Sequence, residues 1–354
     1  MTGTAAHIYA AAPGGPRGTG GLNAGQRSDP LNGIWLCARC ARLVDTNAGD
    51  AYPASLLRSW RDLHEARVRM EHGGVARPFG WIHSIEIMED VWLEEPTTVR
   101  FSRCNIFLGT NGIGKSHFIS LLSGLAAPSH IMERVARPAS RVHAALTWYD
   151  PQPRRAEFKA EGDRLHFFAD GQEVPFVASP YQVVRVPRWR GDFPADVHDL
   201  AKDLGLDHWV MRKVISDLPE IVGGAVKRTR IVDDRIRADF VLGSGLETDD
   251  GDRRLHPLVG LEVLVALAET YARAHPTLLL LDPFLNGLDW GGYHQATALL
   301  GSPARGFQTV AVSTDHRGNH PLGPEWTVTR IVCDETERMG HRRWARLVQD
   351  DEEP

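Results

Sequence analysis

The chain has 354 residues, 42% of them hydrophobic and 24% charged, with a formal net charge of −5. These are the proportions of a globular protein and exclude disordered and collagen-like chains. Four cysteines in this length exclude a disulfide scaffold, and no apolar run reaches the roughly 18 residues of a membrane span. The start, Met1-Thr2-Gly3-Thr4, has no charged segment followed by an apolar one, so a cytoplasmic protein without membrane contact is expected. The length accommodates two domains, one of ordinary size and one small.

Residues 1–78 form the expected small domain. They hold nine arginines, no lysine and six acids, a net charge of +3, which leaves −8 for the remainder. Such a balance permits contact with nucleic acid. Glycine and proline make Pro13–Gly21 a loop between Ala6-His7-Ile8 and the stretch from Asn32 to Asp45. Within that stretch, Cys37 and Cys40 form a C-x-x-C pair that suits a metal such as Zn²⁺ better than a crosslink. Leu56, Leu57, Trp60, Leu63 and His64 have the spacing of a closing amphipathic helix. The order A-H-I, then G-G-P-R, then N-G-I-W-L-C-x-x-C resembles the HNH endonuclease family, a ββα-metal fold, over residues 5–66. The resemblance implies that His7 activates water and that Asn32 braces the loop. Ala41 stands where the family places its metal-binding histidine, so a degenerate module kept for DNA or protein contact is expected. The family's upstream cysteine pair is also missing, and two thiolates leave a tetrahedral zinc site incomplete unless His64 or His72 completes it. Glu71–Pro78 reads as the linker.

The second domain is expected over residues 79–354. Trp81–Ile87 alternates as a half-buried strand does, and Val99–Phe101 with Asn105–Leu108 leads into Gly109-Thr110-Asn111-Gly112-Ile113-Gly114-Lys115-Ser116. This matches G-x-x-x-x-G-K-[ST] at every fixed position. A polyphosphate needs several backbone N–H groups converging on it, and only residues with little side chain permit that approach. Lys115 is expected at the β and γ phosphates of ATP. Ser116 would offer its hydroxyl to Mg²⁺ while opening a helix, carried by Phe118, Ile119, Leu121, Leu122 and Leu125, whose N-terminal dipole faces the anion.

Together with the preceding hairpin, G-x-N-G-x-G-K-S resembles the ABC-type ATPase heads of the SMC and RecF kind. The fold class expected is therefore α/β: a P-loop NTPase with a mixed sheet and flanking helices, joined to the small ββα-metal module. Further along, Val142–Tyr149 and Leu165–Phe168 read as strands, and Gln152 is the candidate for the family's Mg²⁺-sensing glutamine. Residues 196–219 read as helices, with Trp209 and Met211 expected in the core, as are Cys104 and Cys333. Lys227-Arg228-Thr229-Arg230, Arg235 and Arg237 fall on strand-like segments, either a solvated face or a DNA track.

Leu258–Glu262 falls where the family's signature belongs, just before a helix expected over Glu262–His275. Gly260 and Glu262 fit the motif, whereas Val259 and Leu261 depart from it. Leu278–Leu281 reads as a buried strand delivering Asp282 as the second Mg²⁺ ligand, on the strand next to the phosphate loop. Pro283 replaces the glutamate that polarises water in the family. Gly287-Leu288-Asp289 resembles the loop that crosses to a second subunit, and Asp315 or His316 would end the switch strand.

The resemblance implies an ATP-dependent switch, with two heads drawn together as a homodimer or hetero-assembly. The fusion suggests a DNA-associated process, such as bacterial antiviral defence or DNA maintenance, and a separately encoded effector protein as partner. An ATP-gated HNH endonuclease and a non-hydrolysing ATP-dependent binding module are the alternatives.

Overall fold

The computed structural model describes residues 3–54, 57, 58, 60, 61, 80–90, 93, 96–135, 141–150, 152–162, 164–169, 171–177, 179, 181–185, 193–240, 254–314, 322–333 and 345–349. The chain divides into two compact units, Met1–Phe79 with Asp150–Gln152, and Gly80–Tyr149 with Pro153–Pro354. The expected linker, 71–78, lies outside the described residues, as do Leu56, Leu63, His64 and His72.

In the first unit, β1 (Gly3–His7) pairs antiparallel with β2 (Gly33–Cys37), Ala6 opposite Ile34. Helix α1 (Ala38–Asp45) follows directly. Their inward residues meet Ile8, Val44 and Leu57 in a small core. So small a core buries little apolar area, and the long loop between the strands is held by polar bonds instead. The buried Asn32 amide accepts from the Tyr9 N–H at 2.9 Å and donates to the carbonyls of Tyr9 and Arg27. Arg17, its side chain only 5% exposed, donates to the carbonyls of Ile8, Val44 and His7 and to the Asp45 carboxylate.

The second unit contains, in chain order, β3 (Ile82–Glu89), β4 (Thr97–Arg100), β5 (Cys104–Leu108), α2 (Lys115–Leu122), β6 (Arg141–Asp150), β7 (Gln152–Glu161), β8 (Arg164–Ala169), β9 (Gln172–Val174) and β10 (Gln182–Arg185). Next come α3 (Val197–Asp203), α4 (His208–Val222), β11 (Val226–Val232), β12 (Arg235–Phe240), α5 (Pro257–Ala272), β13 (Thr277–Leu281), α6 (Trp290–Gly301), β14 (Gln308–Ser313), β15 (Trp326–Cys333) and β16 (Ala345–Gln349). One six-stranded sheet has the order β10-β13-β14-β5-β15-β16, parallel from β10 to β15 with β16 antiparallel at the edge. A second runs β4-β3-β6-β7-β8-β9.

Strands β5, β13 and β14 are buried at every position, as a parallel sheet covered on both faces requires. Alternate residues serve different cores. Ile106, Leu108, Leu279 and Leu281 join α4 and α5, whereas Phe107, Leu278, Leu280, Val310 and Val312 join α2 and the second sheet.

Three expectations are corrected. Strand β14 lies between the phosphate-loop strand β5 and β13, because its fully buried run registers with both: Thr309 sits opposite Cys104 on one side and Leu279 on the other. Helix α5 starts at Pro257, with His256 as N-cap, so Leu258–Glu262 lies inside the helix rather than before it. Trp209 is 68% exposed, because Met211, Val214, Ile215, Leu218 and Val222 set the buried face of α4 and leave it off that face. Met211 and Cys104 are buried as expected; the Cys333 side chain lies outside the described residues. Among the described residues no helix is long and apolar enough to cross a membrane.

Glu262 is buried, and its carboxylate accepts from the N–H groups of Ala225 and Val226. Burial pushes its carboxyl above the ordinary value of 4.5, against the pull of those two donors and of Arg305. The folded state therefore holds this proton more tightly than the unfolded chain does. Its stabilising contribution is complete below about pH 4.5 and declines as the pH climbs past that value. Unfolding by urea at stepped pH should show this, with the stability difference between wild type and Glu262→Gln shrinking from pH 4.5 to pH 8.

Candidate functional site

The loop between β5 and α2 is shaped by backbone that only glycine adopts without strain. Gly112 and Gly114 have φ of 83° and 99°, in the left-handed region. A Cβ on Gly109 would lie 2.9 Å from the Ile331 carbonyl oxygen, on the adjoining strand β15. Helix α2 begins at Lys115 with no side-chain cap and no acid in its first turn. Its leading N–H groups therefore face the loop with the positive end of the helix dipole behind them.

The Lys115 ammonium is held over this hollow, donating to the carbonyls of Gly109 at 2.6 Å and Thr110 at 2.7 Å. One residue on, Ser116 Oγ donates to Asp282 Oδ1 at 2.9 Å. Asp282 directly follows β13, so the end of that strand carries a carboxylate to the first turn of α2 although β14 separates β13 from β5. An ammonium, the leading N–H groups of a helix and a hydroxyl–carboxylate pair of hard oxygens are the donor set that a magnesium-bound triphosphate requires. The cradle fits that group.

Residues outside the sequence motifs hold this geometry in place. Asn286, in the turn after Asp282, accepts from Ser313 Oγ and the Thr314 N–H, tying that turn to the end of β14. His117 Nε2 lies 2.6 Å from Asp90 Oδ2, both side chains buried, and anchors the helix just behind Ser116. Arg185, at the end of β10, donates to Ser120 Oγ, which in turn donates to the Ser116 carbonyl. A lone histidine, asparagine or arginine without a fixed spacing gives no sequence signal for such roles.

The remaining candidates are dispersed. Gly260 is buried within α5, where a Cβ would collide with the Phe193 ring, and Glu262 caps the start of β11 as described above. Asp289 is the N-cap of α6, accepting from the Gly292 N–H at 2.7 Å. It also pulls the His256 imidazole toward protonation, while burial, the larger effect, lowers its proton affinity. Gln152 begins β7, but its side chain lies outside the described residues, as do Asp315 and His316 entirely.

In the first unit His7 is exposed at the end of β1, its carbonyl held by Arg17. Cys37 caps α1, and its sulfur accepts from the Cys40 N–H at 3.4 Å; both thiols are exposed. That N–H and the Cys40 thiol lower the proton affinity of Cys37, and the pairing raises that of Cys40. Among the described residues no group of three or more His, Cys, Asp and Glu side chains is placed to hold a metal. Ala41 is buried in the small core.

No protein-family model matches the chain. No curated protein matches it. Among solved structures, an SMC head domain from Thermotoga maritima is similar at 12% identity and a TM-score of 0.44, over 76% of this chain and 99% of that one. An SMC head bound to the C-winged helix domain of ScpA is similar at 11% identity and a TM-score of 0.48, over 76% of this chain and 98% of that one.

A hydroxyl and a carboxylate paired at 2.9 Å are hard oxygen donors, suited to a divalent cation rather than to a phosphate group. Calorimetry with ATP should show that Asp282→Asn binds metal-free ATP within about twofold of wild type, yet loses about tenfold or more of the gain in affinity that Mg²⁺ provides. An equal loss with and without Mg²⁺ would count against that assignment.

Proposed function

We propose that the second unit binds ATP with Mg²⁺ and hydrolyses it slowly, as a nucleotide-dependent switch in a DNA-associated process. The observation that carries this reading is the contact between Ser116 and Asp282 beneath Lys115, because two motifs 166 residues apart converge there on one point. Lys115 and the first N–H groups of α2 neutralise the terminal phosphates and orient them against the glycine loop. Mg²⁺, when bound, supplies the remaining charge neutralisation. Ser116 and Asp282 would hold it, and Asn286 and His117 keep those two groups in register.

Proton removal from the attacking water is the step for which this chain is poorly equipped. Pro283 follows Asp282 and offers no proton acceptor, which favours slow turnover and supports one second reading, a module that binds ATP without consuming it. The first unit is proposed to be a contact module, not a nuclease, since a methyl group buried at Ala41 cannot ligate a metal. Assembly through two such heads, with a partner protein reading the nucleotide state, completes the proposal.

Phosphate release by the purified chain decides between switch and passive binder. Wild type should release phosphate at least about tenfold faster than Lys115→Ala, a loss of the order expected when a transition-state contact is removed. Release no faster than that variant, in a wild type that still binds ATP, would establish the passive reading.

A further inference from the structure

Strands β11 and β12 form a two-stranded ribbon separate from both large sheets. The ribbon turns through Asp233 and Asp234, both at positive φ. Its register sets Arg228 opposite Asp239, Arg230 opposite Arg237 and Val232 opposite Arg235. Because side chains alternate along a strand, the intervening residues Thr229, Ile231, Ile236 and Ala238 point the other way. Ile236 and Ala238 are buried in the core that includes α4, and Thr229 Oγ1 donates to the Ile215 carbonyl on that helix. The ribbon is thus anchored through this face, and along the β12 edge by backbone bonds from Ile236 to Ala195 and from Val197 to Asp234.

The opposite face carries Arg228, Arg230, Arg235 and Arg237 with Asp239 among them, and Asp196 is bridged beside Arg235 at the β12 edge, which leaves a net excess of arginine on a chain whose total charge is −5. Directly opposed like charges such as Arg230 and Arg237 destabilise a sheet. Asp239 relieves Arg230, at 3.0 Å, but Arg228 and Arg235 have no acidic partner among the described residues. Asp234 at the turn is engaged by Arg212.

We propose that this arginine face is a docking surface for the phosphate backbone of duplex DNA. The proposal names the partner surface for the DNA-associated reading above and rests on that reading for its biological setting, while the binding itself requires no nucleotide turnover. The cations paired across the ribbon are arginine, whose planar fork matches two phosphate oxygens where an ammonium, such as that of the exposed Lys227 at the bulge, meets one. Outward residues along each strand lie about 6.8 Å apart and the strands about 4.8 Å apart, so the face presents a grid of donors. The acidic turn disfavours insertion of the tip into a groove. Contact is therefore with the backbone, face on, and independent of base sequence.

The test is fluorescence anisotropy of the full chain, without nucleotide, on a labelled 30-base-pair duplex of each of two unrelated sequences between 50 and 200 mM salt. Both duplexes should bind with equal affinity. Arg228→Gln/Arg235→Gln should weaken binding at least about tenfold at 50 mM salt and reduce the slope of log K against log salt by about 1.8, roughly 0.9 per lost phosphate contact. Arg141→Gln/Lys159→Gln, an equal loss of charge elsewhere in the unit, should change the slope by less than half of that. DNA-free phosphate release should be the same for Arg228→Gln/Arg235→Gln as for wild type, which separates this proposal from the proposed ATPase activity. Absence of duplex binding, equal slopes for the two double variants, or equally tight binding of polyglutamate at matched charge would overturn the proposal, the last in favour of an acidic protein surface.

Discussion

A single hydrogen bond, from Ser116 Oγ to Asp282 Oδ1, ties the helix that follows the glycine loop to the strand that carries the second acidic motif. It can form only if three strands lie in fixed order and register, because β14 separates the two strands that lead to it. The uninterrupted burial of β5, β14 and β13 provides that fixed order. Every residue in them is packed on both faces, so a slip of one position would carry a whole set of side chains from one core to the other. The supporting bonds at Asn286, His117 and Ser120 belong to the same constraint, each fixing one end of an element that converges on Ser116 or Asp282.

The small unit meets a comparable demand by other means. Its apolar core is too slight to order a loop of some twenty-five residues, and the loop is instead fastened by Arg17 and Asn32, which between them satisfy carbonyl groups drawn from both sides of it. Bonds from a charged donor are worth about 1.5–3 kcal/mol each, so two buried polar side chains do here what several leucines do in a larger domain.

Much of the site was legible because phosphate binding leaves a mark at fixed spacing. The glycines, Lys115 and Ser116 occur in one run, and the apolar run ending at Asp282 announces a buried strand whose C-terminal edge bears an acid. Strand order was not legible in that way, since β14 has the same apolar signature as any buried strand and nothing local says which neighbours it takes. Pro257 was the available sign that α5 begins before Leu258, and the spacing of Met211, Val214 and Leu218 was the sign that Trp209 faces outward. In both cases the competing reading came from a motif or a residue type rather than from periodicity. Asn286 and Asp90 act through contacts distant in sequence, which periodicity cannot report.

Glu262 joins two regions that otherwise have separate tasks. Its carboxylate grips the chain at Ala225 and Val226, where the arginine ribbon begins, while its own backbone belongs to α5, whose N-cap His256 feels the charge of Asp289. The ribbon is therefore hinged to a helix rather than to a loop. Its far end is held as well, Asp234 taking the Arg212 side chain of α4 and the Val197 N–H at the start of α3. The ribbon therefore spans from α5 at one end to α3 and α4 at the other, so that a movement of any one of these helices is resisted by the other two.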